Sequence, residues 1–200
     1  MSSCPYCQCD LKREPKRKMA CPACGTQVYV RSGRPRTEDE AHALDLCGRL
    51  LIPESELQRA AEALPRQADH TVRFEQVVRT IVESRVTSAP SWHERKMLYF
   101  NLAIYLWESG LDCRNERVQA VRFEIEENKE MARQAGLRNP RLMVLGSGDP
   151  CPRCRRMADR VFLLSAADEG MPLPVHDCTH GATDRQPIGW CRCMYVLKID

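Results

Sequence analysis

The sequence has no long apolar run. Its most apolar stretch, MLYFNLAIYLW at residues 97–107, is interrupted by an asparagine and has eleven residues, whereas a membrane-spanning helix needs about 20. The first ten residues, MSSCPYCQCD, also lack the apolar stretch of a secretory signal. These absences predict a cytoplasmic protein without a membrane partner, in which thiols stay reduced.

Cysteine is almost absent from the middle of the chain. The sequence has 12 cysteines in 200 residues, but only Cys47 and Cys113 lie between residues 25 and 150, and we expect both to be small buried side chains. The others lie near the two ends at close spacings, which is typical of thiolate metal sites inside the cell rather than of disulfides. The end regions therefore differ in kind from the middle.

The pattern of apolar residues predicts a mainly α fold with small β elements. Spacings of three and four residues predict helices over most of residues 37–138, with capping boxes at Thr37 and Ser91 and a cap at Asp112. Short strands are expected at 26–31, 141–145, 161–164 and 191–199, and one helical turn at 165–169. We predict a zinc ribbon and a flexible basic linker over 1–36, an antiparallel helical bundle over 37–138, and a small zinc-stapled α+β module over 139–200.

The N-terminal cysteines have the spacing of a zinc ribbon. Cys4 and Cys7 form one Cys-x2-Cys pair, and Cys21 and Cys24 form a second one, followed by a glycine that suits a positive φ. Two such turns bring four sulfurs into a tetrahedron around one Zn²⁺ ion. Cys9 could replace Cys7 as a ligand, but we predict that it is a spare thiol.

The C-terminal cysteines predict a second zinc site whose membership stays open. Cys151 and Cys154 form a Cys-x2-Cys pair, and Cys178 with either Cys191 or Cys193 would complete the set. Whether one of two neighbouring histidines takes part stays open: His176 is also explained as a loop residue, and His180 as an outer or spare ligand. We expect two zinc ions because modules this small cannot bury enough apolar area to fold alone, while thiolate coordination supplies about 10 kcal/mol.

Basic residues are concentrated between the two N-terminal cysteine pairs. Residues 1–36 hold eight Lys or Arg residues against two acidic ones. The candidates for contacting nucleic-acid phosphates are Lys12, Arg13, Lys16, Arg17 and Lys18. No aromatic residue is interleaved with them, which argues against base stacking, and ribbons also bind proteins.

Signatures of metal-dependent enzymes are incomplete. PCPRC at residues 150–154 matches half of the zinc deaminase signature, but no His-x-Glu or Cys-x-Glu is present. HERKM at residues 93–97 has methionine where a zincin needs its second histidine. An HNH-like nuclease based on His176 would need a metal-holding helix after Cys193, where we expect a strand. We therefore predict no catalytic residue and no small-molecule substrate.

The C-terminal region resembles a known family. The runs CPRCRRMADRVF, MPLPVHDC and GWCRCMYV, within residues 151–196, are similar to the cysteine-rich motif of phage Mu F-like minor head proteins. Nearly the whole chain also resembles uncharacterised bacterial zinc-ribbon proteins that join a ribbon of the form CPYCG…CPHCG to helices and end in GWCRC. This resemblance implies a zinc-stapled domain of mobile-element ancestry and implies no catalytic activity.

Together these features predict a zinc-binding, non-catalytic adaptor that contacts nucleic acid or protein through its metal modules. A phage-derived structural or assembly protein and an HNH-like nuclease are the alternatives.

Overall fold

The computed structural model describes residues 2–11, 17–63, 70–167, 170, 172–183 and 189–198. Across these ranges it contains six α-helices and three small antiparallel sheets, which confirms the mainly helical class. The chain divides into two compact units, Met1–Ile81 and Val82–Asp200. The three-part division at residues 36 and 138 stays a prediction.

Unit 1 begins with two small sheets. β1 and β2 form one antiparallel pair, and β3, β4 and β5 form an antiparallel three-stranded sheet in that order. The bounds are Ser2–Ser3 (β1), Asp10–Leu11 (β2), Lys18–Ala20 (β3), Gln27–Arg31 (β4) and Arg34–Arg36 (β5). Ser32 and Gly33 turn the chain between β4 and β5 with φ of 50° and 71°, as a two-residue hairpin loop requires. Residues 31–36 are thus a hairpin and not the flexible linker that we expected from their polar composition.

The helices of unit 1 follow this hairpin directly. Glu38–Arg49 forms α1, Glu54–Ala63 forms α2, and His70–Ser88 forms α3, which continues past the unit boundary. The predicted capping box is confirmed: Thr37 Oγ1 accepts from the Glu40 N–H at 3.2 Å, and the Glu40 carboxylate accepts from the Thr37 N–H at 3.3 Å.

Arginines of the hairpin hold it against these helices. Arg31 makes a two-pronged ion pair with Asp45 of α1, with N–O distances of 2.6 Å. Arg36 pairs with Glu40 of α1 and with Glu54 of α2. Planar guanidinium groups suit such fork-like pairing, so two of the basic residues counted in the N-terminal region are already engaged within the protein.

Unit 2 is built on a pair of long helices, α4 (Trp92–Glu108) and α5 (Arg114–Gln134). The ring of Phe123 stacks on those of Trp92 and Tyr99. The two helices run antiparallel, since Arg117 near the start of α5 lies against Phe100 while Glu127 further along it pairs with Lys96. Ser91 caps α4 as predicted, by accepting from the Glu94 N–H at 3.1 Å. The N-cap of α5 is Cys113 and not Asp112, whose carboxylate instead accepts from the N–H of Arg114 at 3.0 Å.

A three-stranded sheet completes unit 2 and packs on α5. Its order is β7–β6–β8, and its bounds are Arg141–Leu145 (β6), Val161–Leu163 (β7) and Met194–Lys198 (β8). The short helix α6 (Pro152–Met157) lies between β6 and β7 in sequence, and Leu164–Ala166 forms a 3₁₀ turn in place of the predicted helical turn. Because β8 begins at Met194, Cys191 and Cys193 precede the strand and do not belong to it, contrary to expectation.

Candidate metal centres

The first cluster comprises the N-terminal thiols Cys4, Cys7, Cys9, Cys21 and Cys24. Within it, the Sγ atoms of Cys4, Cys7, Cys21 and Cys24 all lie within 4.8 Å of one another. The Cys4–Cys24 and Cys7–Cys21 separations are 3.9 and 3.7 Å. A tetrahedral ion with metal–sulfur bonds of about 2.3 Å spaces its sulfurs by about 3.8 Å. These four thiols could therefore hold a metal ion.

The two Cys-x2-Cys turns of this cluster share one backbone pattern. The N–H of Cys4 donates to Cys9 O and that of Cys21 donates to Thr26 O, both at 2.8 Å. The residue after the second cysteine of each pair has a positive φ: 73° at Gly25, as predicted, and 62° at Gln8. Such turns aim backbone N–H groups at sulfur. The N–H of Cys24, donating to Cys21, lowers the pKa of that thiol to about 6.

Cys9 lies closer to the other four thiols of the first cluster than its predicted role as a spare thiol requires. Its Sγ is 3.2 Å from that of Cys21, and Cys9 packs against the small core of Cys4, Leu11, Cys21 and Val28. A fifth sulfur is thus in contact with the four-thiol group. The spare role of Cys9 stays a prediction, and its replacement of Cys7 as a ligand stays the alternative that metal-binding experiments would test.

The second cluster comprises the C-terminal thiols, all of them buried: Cys151, Cys154, Cys178, Cys191 and Cys193. The Sγ of Cys154 lies 3.5 Å from that of Cys178 and 4.0 Å from that of Cys191, and Cys151 and Cys178 are 3.9 Å apart. Cys154 belongs to two groups of close thiols, one with Cys151 and Cys178 and one with Cys191 and Cys193. The structure brings together every cysteine predicted for this site, and they could hold a metal ion.

Local structure aims two of these thiols at backbone donors. Cys151 is the N-cap of α6, with proline at the next position, and its Sγ accepts from the Cys154 N–H at 3.4 Å. Burial opposes ionisation of Cys151, but the surrounding N–H groups outweigh it and lower its pKa to about 6. Cys191 Sγ accepts from the Val175 N–H at 3.3 Å. Amide donors of this kind support metal-bound thiolates.

Neither histidine considered as an accessory ligand joins the second cluster. The His176 side chain is 86% exposed and its Nδ1 lies 2.8 Å from the carboxylate of Asp177. His180 is half-buried, and its backbone carbonyl accepts from the Trp190 N–H at 2.8 Å. In the described part of the chain, the groups of side chains spaced to hold a metal consist of cysteines alone.

Sequence analysis named no functional residue on α5, but two charged residues of this helix are candidates. Arg117 and Glu124 are only 5% and 6% exposed, whereas Arg122 on the same helix is exposed. Both buried residues bond to the backbone near the second cluster. Their spacing of seven residues places them on the helix face that carries the buried Val121. This spacing is the feature of the sequence that could have indicated their burial.

Of the basic residues proposed to contact phosphates, two fall in the described ranges. Arg17 is exposed, and exposed Lys18 lies with its Nζ 4.7 Å from the ring centroid of Tyr29. The other three, Lys12, Arg13 and Lys16, lie outside the described residues.

No protein-family model, curated protein or solved structure matches this chain. None of the helices in the described ranges combines the length and the apolar character needed to cross a membrane.

Proposed function

We propose that this chain is a zinc-binding, non-catalytic adaptor that contacts protein or nucleic acid through two metal modules. The observation that carries the proposal is the presence of two thiol clusters: four N-terminal sulfurs that all lie within 4.8 Å of one another, and five C-terminal sulfurs that form two groups of three sharing Cys154. Ligands that are all thiolates favour zinc among the common divalent metals. Four thiolates fill the coordination sphere, so a structural role is favoured over a catalytic one.

In the first cluster, the proposed ligands are Cys4, Cys7, Cys21 and Cys24, and the module is a zinc ribbon. The two matching turns and the three-stranded sheet of β3, β4 and β5 support this assignment. In the second cluster, the proposed ligands are Cys151, Cys154, Cys178 and Cys191. Cys191 is preferred to Cys193 as the fourth ligand because its sulfur accepts a backbone N–H and contacts Cys154.

Native mass spectrometry with elemental analysis tests the metal assignment. We expect two zinc ions per chain, one ion after Cys24→Ser or Cys191→Ser, and two ions after Cys193→Ser. Cys47→Ala is the matched control, because Cys47 is buried outside both clusters and its loss should leave the count at two. A wild-type chain with fewer than two tightly bound ions would overturn the proposal.

The adaptor role is tested by binding to a labelled 20-mer DNA duplex across a salt series. If the first module contacts phosphates, the double change Arg17→Ala and Lys18→Ala should flatten the slope of log K against log salt by about 0.9 for each phosphate that is no longer neutralised. Arg122→Ala, an exposed arginine of α5, is the control. An unchanged slope would indicate a protein partner for this module.

A phage-derived assembly role is the second candidate, carried by the resemblance to Mu F-like minor head proteins. The observation in its favour is that the cysteines of the shared motif meet in one cluster, although the close pairs between its runs are 24 to 37 residues apart in sequence. Self-association of the purified chain, measured by light scattering after size exclusion, is expected for an assembly protein. A strictly monomeric chain at high concentration would count against this role.

A further inference from the structure

The chain segment that carries Cys191 and Cys193 is irregular, yet it is held in place by buried side chains of α5. The Nε of Arg117 donates to Cys191 O at 2.9 Å, and its Nη2 donates to Cys193 O at 2.8 Å. Glu124, two turns further along the helix, accepts from the Tyr195 N–H at 2.9 Å. One face of α5 therefore fixes the backbone at three points within five residues.

The surroundings of Arg117 confine its guanidinium to these two hydrogen bonds. The residue is 5% exposed, and the rings of Phe100 and Trp190 lie at 5.2 and 5.7 Å from its Cζ. Aromatic rings favour a cation over their faces. A guanidinium confined in this way has little freedom to turn towards solvent, so its two carbonyl partners are fixed relative to the helix.

The charge of Arg117 also needs a counter-charge. Its hydrogen bonds go to backbone carbonyls rather than to a carboxylate, and the negative charges that act on it from nearby are those of Glu124 and of the Cys191 and Cys193 thiols when they ionise. Burying a cation is costly, so each such charge stabilises it. A zinc ion with four thiolates carries a formal charge of about −2. Such a centre, with Cys191 as one of its ligands, would place that negative charge beside the guanidinium.

We propose that Arg117 and Glu124 are positioning residues of the second metal centre, and that Arg117 in addition supplies its counter-charge. This inference rests on the proposed function, since it assumes that the second cluster holds zinc. Arg117 aligns the carbonyls on both sides of residue 192, which directs the cysteine side chains of the segment. Glu124 fixes the start of β8, the strand that directly follows Cys193.

The test compares zinc affinity in four full-length variants, each also carrying Cys24→Ser so that only the second centre binds tightly. Arg117→Met removes both the positive charge and the two N–H donors, and Arg117→Lys keeps the charge. Glu124→Gln removes the negative charge but keeps a hydrogen-bond acceptor. Arg122→Met is the matched control on the same helix. A chromogenic chelator competes for the metal, with access through a cavity of about 290 Å³ that borders Cys178 and Cys191.

We expect Arg117→Met to weaken zinc binding about 10- to 100-fold, as loss of an outer-shell partner commonly does. Arg117→Lys should recover part of that loss because it restores the charge, and Glu124→Gln should show a smaller loss. Arg122→Met should bind zinc as tightly as the parent protein, which carries Cys24→Ser alone. In cobalt-loaded protein, the sulfur-to-cobalt absorption should report fewer bound thiolates for Arg117→Met, a change that a general loss of stability does not produce in folded protein.

Each result is decisive. If the parent holds zinc tightly and Arg117→Met binds it within about twofold of the parent, the positioning role is wrong while the metal assignment stands. If the parent itself holds no zinc, the proposed function fails first. Should Arg117→Met not fold, Arg117→Lys and Glu124→Gln decide, because affinities equal to the parent in both would exclude the role.

Discussion

The two thiol clusters contain five cysteines each but sit in very different surroundings. In the first cluster, Cys7 and Cys24 are exposed, and the local core, among the described residues, consists of two cysteines, Leu11 and Val28. In the second cluster, every thiol is buried, within a core that includes Leu142, Leu173 and Tyr195 as well as residues of α5. We therefore expect a metal ion to supply most of the stability of the first module, and to add to a core that already exists in the second.

Metal removal should give the largest difference between the clusters. Structural zinc contributes about 10 kcal/mol of apparent binding free energy, far more than four buried residues can replace. With a chelator present, we expect the β4 amides to lose protection from hydrogen exchange, while those around Val121 and Ile125 of α5 remain protected. Hydrogen-exchange mass spectrometry with and without zinc measures this. If the β4 amides stayed protected without metal, the two modules would not differ in their dependence on metal.

A matched pair of core truncations should show the opposite dependence. Val28 in the first module and Val144 in β6 are both fully buried. Val144→Ala should cost roughly 2–3 kcal/mol, because the loss of apolar burial adds to a cavity in a packed core. Val28→Ala should cost about 1 kcal/mol, since the small module can relax around the gap. Denaturant unfolding of zinc-loaded protein is the measurement. Equal costs would argue that the two modules depend equally on their apolar cores.

Glycine replacements probe how tightly each set of metal-binding loops is packed. A Cβ at Gly189 would lie 1.9 Å from Cys178 O, whereas one at Gly25 would meet nothing within 4 Å. Gly189→Ala should force the backbone around the second cluster apart, at a cost of roughly 2–3 kcal/mol. Gly25→Ala should cost about 1 kcal/mol, through its φ of 73° alone. Chelator competition reports the loss as weaker zinc binding.

The smallest expected effect concerns an ion pair in the helical scaffold of unit 2. Partial burial opposes ionisation of Glu127, but contacts with Lys96 and His93 outweigh it and hold the pKa of its carboxyl below the usual value. A depressed pKa stabilises the fold above the unfolded value of about 4.3, and this contribution is lost as pH falls through the lower, folded pKa.

Glu127→Gln should therefore cost about 0.5–1 kcal/mol at pH 7, and the difference from wild type should shrink as pH falls below about 4.3 and vanish below the folded pKa of Glu127. Comparing unfolding of the two proteins at each pH cancels the acid release of zinc, which both share. A difference that stays constant down to about pH 3 would show that the charge of Glu127 does not matter.

Features encoded by neighbouring residues were predictable. The capping box at Thr37, the positive φ of Gly25 and the ends of α4 follow from side chains within a few positions, because a cap or a turn is a local hydrogen-bonding problem. Prediction failed where local signals were weak. The 31–36 hairpin has no apolar alternation, so its Ser-Gly turn has the same composition as a flexible segment.

The sequence by itself determined which cysteines are paired in tight turns and which stretches are helical, since both depend on spacing along the chain. Only the tertiary structure decided that both Cys191 and Cys193 join the second cluster and that Arg117 binds the backbone of that segment, at carbonyls 74 and 76 residues away. A charged residue on a helix is normally solvated. Only the packing of the later chain segment against α5 removes the water that would otherwise solvate this one.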